Sequence, residues 1–416
     1  MRFLYILTIC FAFLIAGCGG GGGGGGDGAS NNTPVISGTP TTYQKEGTYS
    51  FTPSATDADS DSMTWSITNK PGWANFDTST GKLSGAATAG IYEGITITVS
   101  DGTETDSVAF DLTVVTWVLT KTGQTICWDS SGTPLSLAEC LLSKQDGEYQ
   151  KGSSPYFIRT QPVAGEYIVT DYLNGLMWQD NSDVSVNTYT YADAVTACSN
   201  LASSTYAGYS DWRVPTVNEI HSIAYFGRYS PAITPVFVNT VTTYTWTSSP
   251  VYGDPGLMWA ANYSDGGENI RLDTDLLYLR CVRGDSYPSA DFIRNSTSGI
   301  VTDKRTGLMW QDDAVSSTMT WSDAIDYCED KTLGGYSDWR LPNVRELSSI
   351  ADVSTNNPAI NAVFVNTQLG TTNFYWSSST YELNPTYEWG VTFYRGVPNM
   401  KLKSDTYYAR CVRGVQ

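Results

Sequence analysis

One eleven-residue stretch of the chain occurs twice. Residues 210–220 read S-D-W-R-V-P-T-V-N-E-I, and residues 337–347 read S-D-W-R-L-P-N-V-R-E-L. In each, a Thr or Asn stands three positions before a Glu, which is the capping-box spacing that begins a helix. Apolar residues then recur at helical spacing (Val217, Ile220, Ile223 and Ala224; Val344, Leu347, Ile350 and Ala351), which predicts one buried face per helix. The pattern indicates a scaffold rather than a catalytic site.

The duplication extends well beyond this stretch. Matched segments occur in the same order: G-L-M-W-Q-D at 175–180 and 307–312, W-[ST]-S-S at 246–249 and 376–379, and R-C-V-R-G at 280–284 and 410–414. Insertions and deletions fall in turn-rich segments. We therefore predict two tandem copies of one domain, copy 1 over residues 155–285 and copy 2 over residues 286–416.

The N-terminus has the features of an export signal over residues 1–18. Arg2 supplies a positive charge, residues 3–14 are apolar, and Ile15-Ala16-Gly17-Cys18 ends the segment with small residues before a cysteine. That ending resembles the bacterial lipobox, which implies cleavage before Cys18 and lipid attachment to its sulfur. The alternative is an ordinary secretory signal in which the cysteine is incidental.

A glycine-rich stretch over residues 19–31 follows, and its composition predicts a flexible tether. Because Gly19 rather than Asp follows the cysteine, we expect attachment to the outer membrane of a bacterial cell envelope, through the lipid alone. Either face of that membrane is compatible with the sequence. No later segment is long and apolar enough to span a bilayer.

The charge balance limits the possible partners. The chain has 42 acidic and 24 basic residues, for a net charge of −18. This charge argues against nucleic acid and against general binding to anionic surfaces.

The cysteines are expected to form three disulfides. Of eight cysteines, Cys10 leaves with the signal and Cys18 takes the lipid, so six remain. The repeat pairs them, because Cys198 to Cys281 and Cys328 to Cys411 have the same separation, and Cys127 is left with Cys140. A metal site is the alternative, but the chain has no C-x-x-C and a single histidine.

Residues 32–116 have the pattern of an all-β module. Alternating runs such as residues 95–100 (I-T-I-T-V-S) are separated by turn residues. The order of Phe51, Pro53, Trp65, the T-G-K-L-S-G segment at 80–85 and V-S-D-G at 99–102 resembles the putative-Ig and cadherin-like modules. The resemblance implies a β-sandwich that serves as a spacer or adhesive stalk.

Three aspartates of this module are candidate calcium ligands. Asp57, Asp59 and Asp61 alternate along one extended edge, and carboxylate oxygens suit Ca²⁺. A solvated acidic turn is the alternative, and we expect no required cofactor. Residues 117–154, which carry Cys127 and Cys140, are interpreted as a disulfide-stapled connector without chemistry.

The duplicated segments resemble the Lcl-domain family, named for the C-terminal domain of a bacterial collagen-like adhesin. The shared motifs are G-L-M-W-Q, S-D-W-R-x-P-x-x-x-E, W-[ST]-S-S and R-C-V-R-G. The resemblance implies an α+β, C-type-lectin-like fold with two helices on a twisted antiparallel sheet. The best-known member binds sulfated glycans. The expected fold class is therefore multidomain: an N-terminal all-β, Ig-like sandwich followed by two α+β, C-type-lectin-like domains.

We expect no catalytic residue. His221 is the single histidine, and Ser348 takes its place in copy 2. The serines at 248–249 and 377–379 have no base nearby in sequence, and no Asp–Glu pair matches a glycosidase pattern. Formylglycine-generating oxidases share the C-type-lectin-like fold but need reactive cysteines, which are assigned here to disulfides. Six matched tryptophans are expected in the cores, namely Trp178, Trp246, Trp259, Trp310, Trp376 and Trp389. Each Arg–Glu pair, Arg213 with Glu219 and Arg340 with Glu346, is expected to fix a loop onto its helix.

One segment differs in charge between the copies. Residues 394–403 of copy 2 (Y-R-G-V-P-N-M-K-L-K) align with the acidic residues 264–273 of copy 1. We interpret the copy 2 segment as a hairpin that exposes Arg395, Lys401 and Lys403 beside Tyr394, a combination that suits an anionic sugar. A merely solvated hairpin is the alternative.

The sequence thus predicts a lipid-anchored envelope protein that binds a polysaccharide or surface glycan without turnover. A structural protein of the envelope that binds a protein partner is a second possibility. A hydrolase or oxidase is the third.

Overall fold

The computed structural model describes residues 31–314 and 317–414. The chain has a β-rich N-terminal domain, a connector, and two β-rich domains that each carry two main helices. No helix in these two ranges has the length and apolarity needed to cross a membrane.

The N-terminal domain is built from nine strands. They are β1 (Val35–Ser37), β2 (Tyr43–Lys45), β3 (Gly47–Phe51), β4 (Ser54–Thr56), β5 (Thr64–Thr68), β6 (Ala74–Asp77), β7 (Lys82–Ala87), β8 (Gly90–Ser100) and β9 (Thr105–Val115). The sheets have the orders β2-β9-β8-β5, β3-β7-β6 and β1-β4. Ile95, Ile97 and Val99 are fully buried, so the alternating run forms the core face of β8 as predicted.

The connector carries two short helices, α1 (Leu137–Cys140) and α2 (Asp146–Tyr149). A disulfide joins Cys127 to Cys140. The connector is not only a spacer, because it packs against the last domain of the chain: Asp146 and Gln124 are buried there.

Copy 1 contains seven strands and three α-helices. They are β10 (Phe157–Val163), β11 (Glu166–Asp171), β12 (Met177–Gln179), α3 (Asp183–Val186), α4 (Tyr191–Ser203), α5 (Val217–Ile223), β13 (Tyr244–Pro250), β14 (Leu257–Asn262), β15 (Glu268–Leu272) and β16 (Val282–Arg283). A 3₁₀ turn spans Tyr206–Gly208. The strands form two antiparallel sheets, β10-β11-β12-β16 and β13-β14-β15.

Copy 2 repeats this plan. Its elements are β17 (Phe292–Asn295), β18 (Ile300–Asp303), β19 (Leu308–Gln311), α6 (Trp321–Glu329), α7 (Val344–Ser349), β20 (Tyr375–Thr380), β21 (Tyr387–Thr392), β22 (Val397–Leu402) and β23 (Val412–Arg413). The sheets are β17-β18-β19-β23 and β20-β21-β22.

The repeated stretch folds as its residues predict. Thr216 and Glu219 form a reciprocal capping box at the start of α5, and Asn343 and Glu346 do the same for α7. The expected apolar stripe of each helix is buried apart from Ala351, which is half-buried. All six matched tryptophans are buried, as expected.

The three predicted disulfides are confirmed. Cys198 on α4 is bonded to Cys281, which lies next to β16, and Cys328 on α6 is bonded to Cys411 beside β23. Each of these two bonds joins the first long helix of a copy to its last strand.

The two copies pack against each other reciprocally, as the subunits of a two-fold dimer do. Val217 and Trp259 of copy 1 share an apolar cluster with Val353 and Val397 of copy 2. Conversely, the equivalent residues Val344 and Trp389 of copy 2 share a cluster with Phe226 of copy 1, which is equivalent to Val353. A further core runs through both copies and includes Ile220 and Leu347. The tandem pair is therefore one packed unit.

Candidate functional site

The charged residues of the repeated motifs hold the scaffold together. The Arg213 guanidinium donates to both carboxylate oxygens of Glu219 at 2.8 and 2.6 Å, and Arg340 donates to Glu346 at 2.7 and 2.5 Å. These bidentate pairs tie each loop to its helix, as predicted.

The closing R-C-V-R-G motif is also structural. Arg280 is buried and donates to the buried Asp180 carboxylate at 2.8 Å, and Arg159 binds the same group at 2.5 Å. Copy 2 repeats the arrangement around Asp312. Sequence reasoning missed these networks, although the matched Arg and Asp positions in the two copies carried the signal.

His221, Ser377 and Ser379 are held in buried contacts. The His221 imidazole lies against the buried Glu268 carboxylate, where the two copies meet. Ser377 donates its hydroxyl hydrogen to the Trp389 carbonyl oxygen at 2.8 Å, and Ser379 donates to Asp146 at 2.5 Å. The Ser377 hydroxyl therefore faces a backbone carbonyl and the Ser379 hydroxyl faces a buried carboxylate, and no histidine contacts either one among the described residues.

The prediction that the copy 2 hairpin exposes a group of cations is wrong for Lys403, and the other predicted residues do not lie together. Lys403 is 1% exposed rather than exposed, because its ammonium lies 3.4 Å from the buried Glu388 carboxylate and 4.1 Å from the centre of the Trp321 ring. Burial raises the pKa of Glu388 to about 8 and lowers that of Lys403. Lys403 also donates to the carbonyl oxygen of Asp129, so it helps to hold the connector.

Tyr394 and Arg395 lie in the turn between β21 and β22, away from Lys401. Lys401 is four residues beyond the start of β22, which places it about 13 Å along the strand. The four residues predicted as one ligand site therefore do not converge.

Tyr394 and Arg395 instead join residues of copy 1 in a junction patch, formed by Tyr252, Asp254, Asn356, Tyr394 and Arg395. Arg395 Nη2 lies 3.2 Å from Asp254 Oδ2, and both side chains are partly exposed. Asn356 Nδ2 donates to the Tyr252 carbonyl oxygen at 3.4 Å, while Tyr252 itself is 53% exposed. The patch thus presents two tyrosines, an amide and an ion pair from both copies.

A cleft of about 350 Å³ lies beside this patch, between the two copies. Among its lining residues are Thr216, Asn218, Ser249, Tyr287, Asp352 and Val353. The loop after α7 connects the two features, because its residues 352–354 line the cleft and Asn356 belongs to the patch.

The three aspartates predicted to bind calcium do lie together in the N-terminal domain. One ligand oxygen from each of Asp57, Asp59 and Asp61 falls within 4.8 Å of the others. Asp57 Oδ1 accepts from the backbone N–H groups of Asp59 and Asp61, and Asp59 accepts from Asn32. The donor set fits a hard cation, and calcium binding stays a prediction. The expected signal segment and Cys18 lie outside the described residues.

Comparison with known families agrees with this architecture of a β-sandwich followed by a duplicated, disulfide-linked α+β module. Residues 33–115 match the putative Ig domain. Residues 167–283 and 299–413 match the Lcl C-terminal domain. These two matches span more than half of the chain, so the chain belongs to the Lcl C-terminal domain family.

Other comparisons give little. No curated protein matches the chain. A putative alpha-galactosidase from Bacteroides fragilis NCTC 9343 is similar over 27% of this chain and 24% of its own, at 18% identity and a TM-score of 0.18. A putative alpha-galactosidase/melibiase from the same organism is similar over 29% and 25%, at 20% identity and a TM-score of 0.18. The chain therefore spans about a quarter of these two structures, and TM-scores this low carry no argument.

Proposed function

We propose that the chain is a bacterial envelope lipoprotein that binds a polysaccharide without turnover, as an adhesion protein, and that the junction patch is the surface that contacts the sugar. The observation that carries the proposal is the convergence of Tyr252 and Tyr394 with the Arg395–Asp254 pair at one junction of the two copies. Rigid aromatic rings beside a few polar groups are the usual make-up of a sugar-binding surface.

The charges of the patch favour a neutral or sparsely charged polysaccharide. Arg395 is already paired with Asp254, and the buried Lys403 is not available to a ligand. The net charge of −18 also repels a densely anionic polymer at long range. A tyrosine ring would therefore pack on a sugar face while Asn356 and Asp254 bind its hydroxyl groups.

The test compares variants of the full chain for affinity to an array-selected polysaccharide. Tyr394→Ala and Arg395→Ala should each weaken binding by about tenfold, since aromatic and arginine side chains dominate binding energies. Lys401→Ala is the matched control from the far end of the same hairpin and should leave binding unchanged. Equal losses in all three variants, or none, would contradict the proposed site.

Attachment through Cys18 is tested separately. Cys18→Ser should abolish incorporation of labelled fatty acid and release the chain from the membrane fraction. Cys10→Ser, within the same predicted signal, is the control and should keep both properties. Lipid incorporation that survives Cys18→Ser would exclude this anchor.

A second candidate function, an envelope protein that binds a protein partner, is favoured by the cleft between the copies. Its evidence does not depend on the junction patch.

A further inference from the structure

The chain has two equivalent grooves between its copies but only one connector to fill them. The filled groove lies between Ser379 of copy 2 and Phe226 of copy 1, and the connector residues 122–124 run through it. The reciprocal packing places Ser249 of copy 1 and Val353 of copy 2 on the walls of the other groove, which is the cleft of about 350 Å³.

The filled groove binds the connector through backbone and side-chain groups. The Phe226 N–H donates to the Thr122 carbonyl oxygen at 2.9 Å, and the Phe226 carbonyl accepts from the Gln124 amide at 3.2 Å. The Ser379 hydroxyl donates to Asp146 at 2.5 Å, and the Thr122 hydroxyl donates to the same carboxylate oxygen at 2.6 Å. One backbone hydrogen bond, the Gln124 side chain and, through Asp146, one serine therefore hold this segment.

The cleft keeps the serine and the free backbone groups of this set, without an occupant among residues 31–314 and 317–414. Ser249 Oγ accepts from the Val217 N–H at 3.1 Å, just as Ser379 Oγ accepts from the Val344 N–H at 3.0 Å. The Ser249 hydroxyl hydrogen has no acceptor within these ranges. Neither the N–H nor the carbonyl of Val353 forms a hydrogen bond there.

We propose that this cleft binds an extended segment of another protein, with its backbone paired to Val353 and a side-chain oxygen accepting from Ser249. A backbone N–H and carbonyl side by side on one residue are complementary to an extended peptide, which recognises such groups by adding a strand. The surroundings differ in part from those of the filled groove: Pro250 lacks the N–H by which Thr380 binds the Gln124 side chain, and Met258 and Asp273 take the places of Glu388 and Lys403.

We expect the cleft to accept a wider range of peptide side chains than the filled groove does. Gly123 of the connector has a φ of +94°, and a Cβ there would collide with the Tyr225 ring. Asp352 takes the place of Tyr225 beside the cleft, and its smaller side chain leaves room for a residue larger than glycine.

The test uses the full chain and a fluorescent synthetic peptide of residues 119–126 (L-T-K-T-G-Q-T-I), which carries Thr122 and Gln124, the connector residues that bind Phe226. Its anisotropy should show saturable binding that a scrambled peptide lacks. Ser354→Phe places a ring in the cleft from an exposed position and should weaken binding at least about tenfold. Ser203→Phe, at an exposed position on α4, is the matched control and should bind normally.

Ser249→Ala removes the donor and should weaken peptide binding by about fivefold to tenfold, the worth of one hydrogen bond. Absence of saturable binding, or binding that Ser354→Phe leaves intact, would overturn the proposal. A polysaccharide that loses affinity in Ser354→Phe, when no peptide binds, would show a sugar cleft instead. Arg395→Ala should spare peptide binding, so the fate of the glycan proposal can be read separately.

Discussion

Ser249 and Ser379 occupy the same position in the two copies, yet only Ser379 binds a carboxylate. Each hydroxyl oxygen accepts the N–H at the start of the following helix, Val217 for Ser249 and Val344 for Ser379. Ser379 also donates to Asp146 of the connector. The duplication thus produced two similar grooves, and the connector made them different.

The buried Asp146 predicts a pH dependence of stability. Burial raises its pKa from 3.8 to about 6, and the hydrogen bonds from Ser379 and Thr122 only partly oppose this. The folded chain therefore keeps a proton that the unfolded chain releases in this range. The contribution of Asp146 to the free energy of unfolding is full below pH 3.8 and is lost as the pH rises through about 6.

Asp146→Asn should remove this component, which amounts to about 1–3 kcal/mol. Urea unfolding of both proteins at a series of pH values measures it. The stability of the variant relative to the natural chain should increase as pH rises from about 4 to about 7. Parallel pH profiles would mean that Asp146 does not titrate as we infer.

Arg345 is predicted to stabilise the packing of the two copies against each other. Its guanidinium is buried and donates to the carbonyl oxygens of His221 and Ala224 in copy 1, the latter at 2.7 Å. Burial lowers its pKa to about 10, so it stays charged at neutral pH. Arg345→Ala should lower the free energy of unfolding by about 2–4 kcal/mol, because both carbonyls lose a charged donor.

Asn218 is the equivalent residue of copy 1 and provides the control. It is half-buried, and its side chain forms no hydrogen bond within the described ranges. Asn218→Ala should change the free energy of unfolding by less than about 0.5 kcal/mol. Similar losses in both variants would argue against a specific role for Arg345.

Gly227 is predicted to be required for the connector to stay in its groove. A Cβ at this position would collide with the backbone carbonyl of Gly123. Gly227→Ala should therefore cost about 1–3 kcal/mol of stability and expose the connector to limited proteolysis. Ser354 is equivalent to Gly227 and borders the cleft, so Ser354→Ala should do neither. A protected connector in Gly227→Ala would show that the contact relaxes without displacement.

Local patterns predicted the repeated parts of the fold well. Capping boxes and helical spacing depend on residues within one turn, so Thr216, Glu219, Asn343 and Glu346 could be assigned from the sequence. Each copy has one pair of cysteines, and the equal spacing of these two pairs was enough to assign their disulfides.

Contacts between distant segments could not be predicted in this way. Lys403 was expected to be exposed because the sequence does not show that the connector, more than 250 residues earlier, covers it. The pairing of Arg395 with Asp254 likewise depends on how the two copies pack. Lys403 and the Arg395–Asp254 pair both lie at such interfaces, which have no periodicity in sequence.

Polysaccharide binding is the central claim, and a glycan array probed with the full chain tests it most directly. The array should be read with and without Ca²⁺ and at several salt concentrations. We expect selective binding to neutral or sparsely charged polysaccharides that changes little with salt, because the junction patch has no unpaired cationic cluster within the described residues. An absence of binding at high protein density would contradict the proposed function, and only the peptide-binding cleft would remain to be tested.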